Sequence, residues 1–102
     1  MSFYESSRNV ELIDDRILQA ELKDVDGNWV QSMINLDDII GNIDGEFVWN
    51  GENFTHTANN IHLDGSVLTA DLENNNGDFG SAQAIDLNEF IANINGELDF
   101  VG

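Results

Sequence analysis

Leu36-Asp-Asp-Ile-Ile-Gly-Asn-Ile-Asp-Gly-Glu-Phe-Val-Trp49 returns 51 positions later as Leu87-Asn-Glu-Phe-Ile-Ala-Asn-Ile-Asn-Gly-Glu-Leu-Asp-Phe100. Six of the fourteen positions are identical, and nearly all the others keep size or polarity. Upstream the echo continues. Ile17-Leu-Gln-Ala-Glu-Leu22 answers Val67-Leu-Thr-Ala-Asp-Leu72, and each is followed by a glycine turn (Gly27, Gly77) and an aromatic (Trp29, Phe79). One unit of about fifty residues therefore occurs twice and fills the 102-residue chain. Without disulfides or metal, each half would be marginal alone, so the two are expected to share one core as a pseudo-symmetric pair.

Leu18, Ala20 and Leu22 alternate with Gln19, Glu21 and Lys23, and Leu68, Ala70 and Leu72 alternate in the same phase. A two-residue period is that of a strand with one buried face. Asp26-Gly27 and Asn76-Gly77 are two-residue hairpin signals, because Gly and Asn tolerate positive φ. Return strands are then expected over 28–34 and 78–85. Ile43-Asp44-Gly45 and Ile94-Asn95-Gly96 mark a second, tighter hairpin in each unit. Its outgoing arm places Phe47 and Trp49, or Leu98 and Phe100, on one face. Between the hairpins, 36–40 and 87–91 combine early acids with paired apolars and suit one short 3₁₀ turn. No window supports a long amphipathic helix. The predicted fold class is all-β.

The chain carries 20 Asp plus Glu against 3 Lys plus Arg, a net charge of −17. Such a surface repels phosphate backbones and anionic lipid heads, which argues against nucleic acid and membranes as partners. Hydrophobic residues make up 41%, enough for a packed core despite the charge. There are no cysteines, so thiol chemistry and disulfides are excluded. No apolar run approaches the roughly 20 residues that cross a bilayer. Met1-Ser-Phe-Tyr-Glu-Ser-Ser-Arg8 lacks the basic start and apolar stretch of a signal peptide. The expectation is a cytoplasmic protein or one secreted by a non-classical route.

Candidate chemistry is sparse. Asp24-Val-Asp-Gly27 lacks the ligand series and flanking helices of an EF-hand. His56 and His62 form no familiar zinc spacing and read as surface residues. No strained serine elbow is present. Carboxylates abound, but nothing singles out a glycosidase-like pair, so an enzyme is not expected. Asn53-Phe-Thr55 fits the N-glycosylation pattern by chance, and Glu73-Asn-Asn-Asn-Gly77 falls at a hairpin tip. The polar residues that recur beside the repeat's turns are more informative: Asn42, Asp44, Asn53 and Thr57, with Asn93 and Asn95 as counterparts of the first two. Amides and carboxylates can bridge adjacent hydroxyls, and neutral sugars are among the few ligands that a strongly negative surface does not deter. Equally, Asn and Asp form turns without any ligand. The residues alone leave three functions open: a sugar-binding module, an acidic β-module that binds a protein partner, and a small hydrolase.

The doubled tail, joined to the second unit through Trp49-Asn-Gly-Glu-Asn-Phe54, resembles the cyanovirin-N homologue family of lectins, and fungal members in particular, over essentially the whole chain. The resemblance implies an intertwined fold. Each half is a three-stranded sheet plus a β-hairpin, and each hairpin packs on the strands of the other repeat. Pseudo-domain A would comprise 1–38 plus 90–102, and pseudo-domain B 39–89. It implies binding of high-mannose glycans, with terminal Manα1-2Man preferred, no catalytic step and no metal or other cofactor. The domain B site maps onto Gly41, Asn42, Ile43, Asp44, Glu52, Asn53, His56, Thr57, Glu73, Asn74 and Asn75. The domain A site maps onto Phe3, Ser6, Ser7, Lys23, Asp24, Val25, Asn93, Ile94 and Asn95. In A, Phe3 replaces a lysine, Lys23 an acid, and Asn95 the acid of the turn. One weak competent site is expected, in B before A. The founding member's disulfide positions fall on Arg8, Leu22, Ala58 and Leu72. Gly51 marks a hinge through which relatives exchange halves, and the chain is expected to be mainly monomeric, with a domain-swapped dimer as the minor form.

Overall fold

The alternation forms two antiparallel three-stranded sheets. A computed structural model describes residues 3–102. In it β1 (Ser7–Ile13), β2 (Ile17–Lys23) and β3 (Trp29–Asn35) pair in the order 1-2-3. β6 (Ala58–Asp64), β7 (Val67–Leu72) and β8 (Gln83–Asp86) do the same in the second unit. The apolar positions of the middle strands, Leu18, Ala20, Leu22, Leu68, Ala70 and Leu72, are all buried. β4 (Ile40–Ile43) with β5 (Glu46–Trp49), and β9 (Ile91–Ile94) with β10 (Glu97–Phe100), make two separate hairpins. Their turns put Asp44 and Asn95 at φ 50° and 51°, followed by Gly45 and Gly96 at 87° and 88°. Two successive left-handed residues are what a two-residue I′ turn demands. 3₁₀ turns at Tyr4–Ser6, Leu36–Asp38, Phe54–Thr57 and Leu87–Glu89 complete the described chain.

The repeats interlace. The β4–β5 hairpin of the first unit is bonded to the second sheet, through Asn42 to the Glu73 carbonyl and through Asp44 to the Asn75 N–H. The β9–β10 hairpin of the second unit is bonded to the first sheet, through Asn93 to the Lys23 carbonyl and through the Leu98 N–H to Ser32. The core is correspondingly one cluster drawn from both units, with Leu18 and Leu68, Leu36 and Leu87, and Ile40 and Ile91 as counterparts. Trp49 stacks on its own repeat mate Phe100 at 5.6 Å, with Phe90 edge-on to both. The symmetry also reaches the N-terminus. Phe3 and Phe54 are fully buried counterparts. Asn88 Oδ1 accepts the Tyr4 N–H at 3.1 Å, as Asp37 Oδ1 accepts the Thr55 N–H at 3.1 Å. The molecule measures 50 × 22 × 17 Å.

Three local expectations are corrected. The turns at Gly27 and Gly77 are wider than two residues. Gly27 N–H returns to the Asp24 carbonyl and Asp24 N–H to that of Asn28, and Asn74, Gly77 and Asp78 repeat the pattern. The side chains of Asp24 and Asn74 each accept two backbone N–H groups inside the loop, which favours this larger loop. The return strand of the first unit forms at Trp29–Asn35, but that of the second shrinks to Gln83–Asp86 plus an isolated bridge between Glu73 and Phe79. The repeat offset grows from 50 at Leu72 to 51 at Leu87, so the second unit must loop out one extra residue near Gly80. Finally, β1 and β6 carry no readable alternation because each is bulged, with Asn9 and Asn60 at φ 54° and 53°. The bulge register places Ser7, not Arg8, opposite Leu22, while Ala58 does face Leu72.

Candidate functional site

Each hairpin meets the opposite sheet through one asparagine clasp. Asn42 Nδ2 donates to Thr57 Oγ1 at 2.8 Å and to the Glu73 carbonyl at 2.9 Å, while its Oδ1 accepts the Gly45 N–H at 2.8 Å. Asn93 repeats the arrangement. Its Nδ2 donates to Ser6 Oγ at 2.8 Å and to the Lys23 carbonyl at 2.9 Å, and its Oδ1 accepts the Gly96 N–H at 2.8 Å. Both amide hydrogens are thus spent inside the protein. Asn42 and Asn93 hold the site together and have one acceptor lone pair left to offer a ligand. A second link follows one turn away: Asp44 Oδ1 accepts the Asn75 N–H at 2.9 Å, and Asn95 Oδ1 accepts the Val25 N–H at 3.1 Å.

Around Asn42 the structure assembles the residues expected there. Gly41 is buried against the linker, and a Cβ on it would stand 3.0 Å from the Glu52 nitrogen and from Gly51 Cα. Asn53 adopts the left-handed conformation, φ 60°, ahead of the 3₁₀ turn that carries His56 and Thr57. The His56 N–H closes that turn on the Asn53 carbonyl, and the Thr57 carbonyl accepts the Glu73 N–H. Asn74 is occupied in capping its own loop. Exposed groups without a hydrogen bond among the described residues are the Asn53 and Asn75 amides and the His56 ring, with the half-buried Glu73 carboxylate beside them. Ile43 projects into solvent, 65% exposed.

The Asn93 cluster assembles less completely. Phe3, expected as a contact residue, is a core residue with no exposed surface, and its N–H donates to the Ile91 carbonyl. Ser6 turns its hydroxyl back to the Phe3 carbonyl at 3.4 Å, whereas Thr57 donates to no protein group. Ser7 bonds the Tyr4 carbonyl and lines a neighbouring cleft instead. Asp24 is occupied as a loop cap, and Val25, Ile94 and Lys23 are exposed at the rim. Sequence reading overlooked Val30. It packs on Gly96, where a Cβ would meet the Val30 side chain at 3.2 Å. Its repeat mate is Gly80, which has nothing within 4 Å, and a Cβ on Gly45 would only touch Asn74, at 3.5 Å. The repeat register, which aligns Val30 with Gly80, was the available signal. Among the described residues, no three His, Cys, Asp or Glu side chains are grouped to hold a metal.

These features define a duplicated all-β binding protein, with a polar cluster of amides, hydroxyl and carboxylate where each hairpin meets the opposite sheet. The CVNH domain matches residues 3–99. The chain is 44% identical to the Cyanovirin-N homolog of Tuber borchii over 98% of this chain and 99% of that one, and the solved structure of that protein is similar with a TM-score of 0.87. A Microvirin:mannobiose complex is similar at 28% identity, over 97% of both chains, with a TM-score of 0.85. A MoCVNH3 variant in complex with (N-GlcNAc)4 is similar at 25% identity, over 96% of this chain and 95% of that one, with a TM-score of 0.88. The chain belongs to the cyanovirin-N homologue family, whose members are lectins and not enzymes.

Proposed function

We propose that the protein binds mannose oligosaccharides, with terminal Manα1-2Man of high-mannose glycans as the preferred unit, weakly and through one competent site, the Asn42 cluster. The observation that carries this reading is the contrast between the two turns. Asp44 offers a carboxylate beside an open glycine, while Asn95 offers a neutral amide beside a glycine covered by Val30. A carboxylate bonds hydroxyls more strongly than an amide does. The Thr57 hydroxyl and the Asn53 and Asn75 amides supply further donors, and water bridges part of the contact. Small polar contact areas give weak single-site affinity, and dense glycans raise it through multiple attachments. The similar Microvirin:mannobiose complex supports a mannose ligand.

In this reading the competent cluster lies in pseudo-domain B, 39–89, and the weaker one in pseudo-domain A, 1–38 plus 90–102. The protein acts mainly as a monomer, because Gly51 is packed directly on Gly41 and holds the linker in its closed course. A dominant dimer in size-exclusion chromatography with light scattering at low concentration would refute that part. Sugar specificity is tested by amide NMR with α1-2-mannobiose and, in parallel, the N-acetylglucosamine tetramer. Shifts confined to 42–44, 53–57 and 73–75 with mannobiose are expected. Silence at those amides, or a stronger response to the tetramer, overturns the mannose reading.

A further inference from the structure

Away from the two clusters, the clearest break in the internal symmetry lies where β1 faces the β6–β7 turn. A cleft of about 240 Å³ opens there between Tyr4, Ser7, Arg8, Asn9, Leu63 and Gly65. That is below the roughly 300–1,000 Å³ of pockets that take drug-sized ligands, so it suits one ring and not a chain.

Its walls are fixed parts. The Tyr4 N–H is bonded to Asn88, and the ring packs edge-on against buried Phe3 at 6.1 Å, yet Tyr4 remains 41% exposed. Gly65 leaves the phenol edge open, since a Cβ there would lie 3.7 Å from the Tyr4 hydroxyl. The Arg8 Nε–H donates to Glu21 at 3.1 Å, and the guanidinium lies over the Trp29 ring at 4.2 Å. The stack sets its plane and the Nε bond sets its rotation. Its terminal nitrogens make no hydrogen bond among the described residues, so they form a pre-oriented donor fork. Partly buried Leu63 adds an apolar side. An aromatic and aliphatic surface opposite a fork of N–H donors matches a pyranose ring, which has an apolar C–H face and a rim of hydroxyls. Glu21 neutralises Arg8, and the net charge of −17 disfavours an acidic sugar.

The repeat supplies its own control. The counterparts of Tyr4, Ser7 and Arg8 are Thr55, Ala58 and Asn59, so the second unit has neither the platform nor the fork. The facing turn there is Asp14-Asp15-Arg16, one residue longer.

The geometry points to a third saccharide site in this cleft, one that takes a single neutral hexopyranose with Tyr4 as stacking platform and Arg8 as hydroxyl donor. It rests on the carbohydrate-binding reading but on neither asparagine cluster. The test is titration of the intact protein with methyl α-mannoside, followed by amide NMR. Tyr4, Ser7, Leu63 and Gly65 should shift along one shared isotherm. Tyr4→Ala and Arg8→Ala should each weaken that isotherm about tenfold, whereas Tyr4→Phe keeps it, with amides 42–44 at their wild-type positions as the check on folding. A silent cleft while 42–44 respond to mannobiose overturns the third site and leaves the proposed function standing. Silence at the cleft and at both clusters overturns both readings. Cleft shifts unchanged in Tyr4→Ala also overturn the assignment.

Discussion

The Asn42 and Asn93 clusters share a clasp and differ in what surrounds it. Asn, a turn glycine and the carbonyl of the opposite strand recur with near-identical distances, because they join hairpin to sheet and the fold needs both joints. The differences fall on groups that the joint does not use: Asp44 against Asn95, Thr57 against Ser6, and Gly80 against Val30. Duplication therefore separates two roles that a single site would confound. Positions that match between the units carry structure, and positions that diverge between them are free to set ligand preference.

The largest expected effect tests the scaffold under the stronger cluster. In Gly51→Ala the new Cβ would stand 2.7 Å from the Gly41 backbone, closer than any relaxed contact. A loss of about 3 kcal/mol is expected, seen as a melting temperature lower by about 15 °C. A melting temperature unchanged by this substitution would show that the linker is not held as described. Next come the clasps. Asn42→Ala and Asn93→Ala each strand one carbonyl and one turn N–H, so each should cost about 2 kcal/mol in chemical denaturation. Equal stability losses combined with loss of mannobiose binding only in Asn42→Ala would sharpen the contrast, and loss of binding in Asn93→Ala alone would reverse it.

A smaller effect is expected at the turn acid. Asp44→Asn keeps an acceptor for the Asn75 N–H but gives up the charge, so mannobiose affinity should fall about tenfold in calorimetry with the fold intact. Conversely, Asn95→Asp combined with Val30→Gly should make the Asn93 cluster respond to the sugar. The smallest effect compares the bulges. Glu21 accepts from Asn9 and Arg8, and the Asn9 bond above all, with Arg8 adding to it, lowers its pKa below the usual carboxylate value. Its contribution to stability is therefore complete above the unfolded-state pKa and is lost as pH falls through the lower folded-state value. Glu21→Gln should remove that slice of the acid denaturation curve and leave stability at higher pH nearly unchanged.

Much of the fold was legible because short-range rules wrote it. The period of two in 17–22 and 67–72, the Asp44-Gly45 and Asn95-Gly96 turns and the short 3₁₀ turns all depend on neighbours in sequence, and all formed where expected. β1 and β6 were not legible, since a bulge at Asn9 and Asn60 breaks the alternation that marks a strand. The shortened β8 was half-written in the change of repeat offset from 50 to 51. At the sites, the sequence named the polar residues of each cluster but not their employment. Phe3 looked available and is buried, and Asn42 looked like a ligand contact but spends both amide hydrogens on the protein.

By itself the sequence determined the duplication, the all-β class and the identity of the turn residues, because periodicity and backbone conformational preference act over a few residues. Only the tertiary structure decided that Val30 closes one glycine while Gly80 leaves its counterpart open, and that Arg8 rests on Trp29 beside Tyr4. Those facts depend on which hairpin crosses to which sheet, and long-range packing of that kind has no period to read.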